Sequence, residues 1–225
     1  MKLRVSTKAE AVDNFSGSSY ISKSGIYDII INFASVDVAA SGAESVNFNI
    51  DYDGSQQVIY GPYVQNKDGN VNEIGAKIIN ALAIIAGMGD GDEYEIEEEE
   101  HAVGKDKKVQ TFNVITNFSD LPVKVWVQTE WSINPNTNLP KKRLVIKDFF
   151  RAEDGASAKE IVAGKDFGKR LELIKEKYAD NVTYRDGLTE EDIKKFEQEK
   201  AKSSGSNTKV PTAKAVKPKT ASLFK

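Results

Sequence analysis

Polar and small residues dominate the first twenty positions, and the pattern then becomes that of strands. IYDIIINFASVDV, after Gly25, has a solid apolar centre that predicts a strand buried on both faces. SVNFNIDY alternates strictly, placing Val46, Phe48, Ile50 and Tyr52 on one face and Ser45, Asn47, Asn49 and Asp51 on the other. Asp53-Gly54 signals a hairpin turn, because glycine tolerates the positive φ such turns need. QQVIYGPYV should pair back antiparallel and bend or reach an edge at Pro62, which has no amide to donate.

From Asn72 the period turns helical. Ile74, Ile78, Leu82 and Ile85 form one face, widened by Ile79 and Ile84, and the glycines at 87 and 89 should close a largely buried helix. GDGDEYEIEEEE follows, dense enough in like charge to be expected as a solvated loop. VQTFNVITNF reads as a strand and SDLP as a break. In VKVWVQTEW, Val123, Val125 and Val127 share one face while Lys124, Trp126 and Gln128 share the other. The loop SINPNTNLPKK, residues 132 to 142, leads to a last strand ending KDFF. Beyond it Ser157 and Glu160 fit a capping box. Phe167, Leu171, Ile174 and Tyr178 form a helical stripe, and Thr189 with Asp192 opens a shorter helix carrying Ile193 and Phe196.

These elements divide the 225 residues into an N-terminal arm (1–20), a β-barrel domain (21–152) with an acidic insertion near 89–108, a helical extension (153–202) and a basic tail (203–225) expected to be disordered. The fold class is mainly β (α+β). Strand, strand, strand, helix, strand, strand is the order of an OB-fold, a five-stranded Greek-key barrel, here with an inserted strand.

Charge adds an asymmetry. Residues 1–100 hold 6 Lys/Arg against 17 Asp/Glu, and residues 101–225 hold 25 against 17. The last 25 residues contain six lysines and no acid. The absence of cysteine excludes disulfide frameworks and thiolate metal sites. The opening MKLRVSTKAEAVDNF lacks a signal peptide's apolar run, and no stretch approaches the roughly 20 apolar residues of a membrane span, so a cytoplasmic protein is expected.

The chain resembles phage-encoded single-stranded DNA-binding proteins of the OB type. The resemblance rests on the Gly25-x-Tyr27 strand opening, the Asp53-Gly54 hairpin, the Ile-rich helix, the long strand pair ending KDFF, and the helical and then polar tail. It covers roughly residues 20 to 200 and implies a role in phage DNA replication or recombination, in the host cytoplasm. Many members end in an acidic tail with an aromatic tip that recruits replication partners; this tail is basic and ends Ala-Ser-Leu-Phe-Lys, leaving Leu223 and Phe224 as its apolar tip for replication or recombination proteins.

A sequence-tolerant single-strand binder needs cations to track phosphates and aromatic faces on which bases stack. The expected set is Lys124 and Trp126 on one strand, Lys141, Lys142 and Arg143 at the loop, Lys147 and Phe149 on Arg143's face of the next strand, and Tyr60 and Tyr63 on the third strand. The competing reading for Trp126 and Phe149 places both beneath the C-terminal helices, and Trp131 is expected to support the loop. No enzyme, cofactor or metal is expected. His101, the sole histidine, has no nucleophile partner and reads as a surface residue, and Asp51 and Asp53 resemble the start of a calcium loop without its later ligands. The alternative class is a structural or protein-interaction β-barrel, a virion or assembly component.

Overall fold

The computed structural model describes residues 20–204 apart from residue 105, and the side chains up to residue 201. The long strand β1 (Gly25–Val38) organises the sheet. Along its C-terminal half it pairs antiparallel with β2 (Glu44–Tyr52), from Ile30↔Asp51 to Val38↔Glu44. On its other edge the N-terminal half pairs with β7 (Leu121–Ile133), from Gly25↔Val127 to Ile31↔Leu121. β3 (Ser55–Ile59) and the short β4 (Tyr63–Gln65) both pair with β2, and β8 (Pro140–Arg151) runs the length of β7.

The result is a large, mainly antiparallel sheet that does not close: among the described strands β3 and β4 pair only with β2, and β8 only with β7. Helix α1 (Glu73–Ile85) packs against β4 and β8 instead. Asn72 caps it, its side chain accepting from the Gly75 amide at 3.1 Å. Ile79, Leu82 and Ala83 reach the core beside Ile31 and Ala34 of β1, Phe48 and Ile50 of β2, Val123, Val125 and Val127 of β7, and Ile146 and Phe149 of β8. Among the described residues no helix is long and apolar enough to cross a membrane.

Several sequence expectations change. Of the run expected as a solvated acidic loop, residues 89–95 are loop, but Ile96–Glu100 belong to strand β5 (Ile96–Val103), paired over its full length with β6 (Lys108–Ile115). Strand pairing satisfies the backbone while the glutamates stay in water, so like charge does not forbid it. The hairpin joins the sheet where Val114 pairs with Ser35 of β1. QQVIYGPYV splits at Gly61-Pro62 into β3 and β4. The break falls earlier than SDLP: a 3-10 turn, Thr116–Phe118, ends the preceding strand segment, only Ser119 and Asp120 separate it from β7, and Leu121 and Pro122 lie inside β7.

Two short helices follow, α2 (Ala158–Ala163) and α3 (Lys169–Lys177), and the expected stripe lies on α3 and its two ends. Ser157 and Glu160 form the capping box at the start of α2. Leu171 and Ile174 of α3 pack on Phe150, Ile26 and Trp126, forming a second apolar cluster on the opposite face of the sheet from the main core. Phe167 and Tyr178 flank α3 and stay about half exposed. A parallel strand without periodic signature, β9 (Val182–Tyr184), pairs with Thr129–Trp131 of β7. Helix α4 (Glu190–Ser204) follows Thr189, whose hydroxyl and amide both bond Asp192. The expected arm up to residue 19 and the tail from residue 205, with Leu223 and Phe224, lie outside the described residues.

Candidate nucleic-acid interface

On β7 the alternation holds. Val123, Val125 and Val127 are buried in the main core, and Lys124 and Trp126 point the other way. That second face is not open. Trp126 lies against Phe150, Leu171 and Ile174 beneath α3, and its indole N–H is buried without a hydrogen-bond partner among the described residues. Arg170 of α3 fastens the cover by donating from Nε to Asp148 at 2.9 Å, on the residue paired with Trp126. Burial pushes the Asp148 carboxyl above its usual range against the opposing pull of Arg170. Lys124 forms an ion pair with Asp28, its cross-strand neighbour.

On β8 a bulge decides the faces. Trp126 pairs with Asp148 and Val127 with Ile146, which leaves Lys147 unpaired and shifts the alternation by one. Phe149 consequently turns inward to 0% exposure, 5.3 Å from Phe48, and does not share a face with Lys147 as a surface platform. The β7–β8 loop is also shorter than expected, residues 134 to 139, so Lys141, Lys142 and Arg143 stand on β8 itself. Arg143 is bound by Glu130. Lys142 donates to the Ser22 carbonyl at 2.6 Å, and Lys141 is exposed and unpaired among the described residues. Trp131 is buried on β7.

Tyr60 and Tyr63 differ from the rest. They are 75% and 51% exposed, and they flank a backbone with little freedom. The Gly61 amide donates to Asn47 Oδ1 at 3.2 Å, and a Cβ at Gly61 would stand 1.8 Å from the Val46 carbonyl oxygen. From the other side α1 presses Gly75 so closely that a Cβ there would stand 1.8 Å from the Tyr63 carbonyl oxygen. The two rings are thus held out by a fixed segment.

A groove of about 500 Å³ opens beside this region, between the outer face of β1, β2 and β3 and the tip of the β5–β6 hairpin. His101 is a groove residue rather than a free surface histidine. Its ring stacks on Phe33 with centroids 3.9 Å apart and planes 13° apart, and Glu99 bonds its Nε2 at 2.7 Å. Sequence reasoning missed Phe33, Asn49, Gln56 and His101. The outward position of Asn49 was readable from alternation, but nothing local joins the hairpin to β1. Among the described residues no cluster of three or more His, Cys, Asp or Glu is arranged to hold a metal. No protein-family model matches this chain, and no curated protein matches it in sequence.

Proposed function

We propose that this protein binds single-stranded DNA with little base preference, in phage DNA replication or recombination, on an OB-like five-strand Greek-key arrangement of β1, β2, β3, β7 and β8. The architectural reading is supported by β1 bridging β2 and β7, and by α1 occupying the gap between β4 and β8 where ladder bonds would complete a barrel.

The observation that carries the binding reading is the display of Tyr60 and Tyr63. Large exposed aromatics cost apolar hydration, and here they sit on a clamped backbone, so ordering them for stacking costs little additional entropy. Lys141 and Lys142 remain exposed for phosphate contact; Trp126, Phe149 and Arg143 are committed to packing or pairing.

Anisotropy titration of labelled oligo-dT tests this. Tyr60→Ala and Tyr63→Ala should each weaken binding by about 1 to 3 kcal/mol with an unchanged melting temperature, and matched duplex should bind less tightly. Equal affinity for single and double strands, or full binding by both variants, counts against it. The alternative, a structural or protein-interaction role, is favoured by the neutralisation of Lys124 and Arg143 in ion pairs. A salt series separates the two readings, because phosphate contacts make affinity fall steeply with salt.

A further inference from the structure

We infer that the groove between the β5–β6 hairpin and the outer face of β1 to β3 is a site for one nucleobase, taken in without its phosphate. The inference rests on the single-strand reading and assigns it a second contact, apart from the tyrosines. Three carboxamides on the groove, Asn32, Asn49 and Gln56, make no hydrogen bond within the described protein. Carboxamides offer a donor and an acceptor side by side, the pattern that base edges present in complement. The Phe33–His101 stack supplies aromatic walls, and Val58, 43% exposed, supplies an apolar lip. The volume falls within the range of small-ligand pockets.

Charge sets the orientation. No lysine or arginine among the described residues lines the groove, whereas Glu99 and Asp120 do. A phosphate is therefore repelled, and the neutral ring is what fits. Glu99 also fixes the His101 ring through its 2.7 Å bond. The hairpin pairs with β1 only at Val114↔Ser35, so its tip is free to adjust to a ring without breaking a long ladder.

The test is an NMR titration of the isotope-labelled full chain with adenosine, thymidine and the corresponding 5′-monophosphates. Nucleosides should shift the Phe33 and His101 ring signals and the Asn49 and Gln56 side-chain amides in a saturable way, with the monophosphates binding no more tightly. Val58→Trp, which fills the lip from an exposed edge position, and Gln56→Leu should each weaken this by about tenfold, the equivalent of one lost contact. Silent groove signals, tighter binding of the monophosphates, or an unchanged response in Val58→Trp overturns the inference. Oligo-dT binding that depends on Tyr60 and Tyr63 while nucleosides leave the groove silent sinks this site alone. If oligo-dT does not bind at all, the single-strand reading fails, and the nucleoside titration still reports on the groove.

Discussion

Glu130 is 1% exposed on β7, and Arg143 of the neighbouring strand and Arg185 beyond β9 converge on its carboxylate, Arg185 Nε at 2.6 Å from Oε2. One acid thereby ties three segments together at the end of the sheet: β7, the start of β8 and the chain following β9. It also explains why a basic triplet beside a loop contributes less free positive charge than its sequence suggests.

Glu130→Ala should lower stability by about 3 kcal/mol in urea unfolding. That is the low end for breaking a buried pair, because both arginines are half in water and can rehydrate. Arg143→Ala should cost less, since Arg185 still compensates the buried acid. A loss below about 1 kcal/mol for Glu130→Ala would show that the pair does not hold β9 to the sheet.

Trp126→Ala should destabilise by about 3 kcal/mol, because it opens a cavity between β7 and α3, and the folded fraction should bind oligo-dT as the parent does. Trp126→Phe should stay within about 1 kcal/mol of the parent, as the lost ring volume is offset by removal of a buried, unpartnered N–H. Calorimetry and anisotropy on the same samples decide it. A stable Trp126→Ala that no longer binds would return the residue to the DNA-binding surface.

Gly75→Ala, in the first turn of α1, should reverse the sign that helix propensity gives. Propensity favours alanine by up to about 0.8 to 1 kcal/mol, the helix-interior value. The contact with the Tyr63 carbonyl forces α1 or β4 to move, and the net effect should be a loss of about 2 kcal/mol with weaker oligo-dT binding. Stabilisation in urea titration would mean that α1 does not clamp the tyrosine segment.

Acid should loosen the α2–α3 extension. Burial opposes ionisation of Glu160, but bonds donated by the Ser157 and Arg170 amides, the Ser157 hydroxyl and the Gly168 amide outweigh it and hold its pKa below the usual value. Bonds from Arg151 hold Asp154 down at about 2. Groups lowered by folding contribute stability above their unfolded value of about 4 and lose it as pH falls through the folded one. Asp148 acts in the opposite sense, since burial raises it. Melting temperatures between pH 7 and pH 2 should fall below about pH 4, and Glu160→Gln should lower the neutral value and flatten the curve. A parallel, equally steep curve for Glu160→Gln would remove Glu160 as a cause.

The amino-acid sequence alone specifies the local elements, because these follow from side-chain periodicity and caps. β1, the alternating β2, the Asp53-Gly54 turn, the Asn72-capped helix, the Ser157–Glu160 box and the inward valines of β7 were all legible there. It also left the covering of Trp126 and Phe149 as an explicit alternative. Which outward residues stay outward is set by how distant segments pack. A one-residue bulge at Lys147 turned Phe149 into the core, a short helix closed over Trp126, and Asp28 and Glu130 consumed the charges of Lys124 and Arg143. None of these has a local signature, since a bulge is set by register between strands and an ion pair by approach of segments far apart in the chain. The stacking of His101 on Phe33 is of the same kind. Periodicity gives the direction of each side chain from its own strand, and the fold alone decides what comes to lie above it.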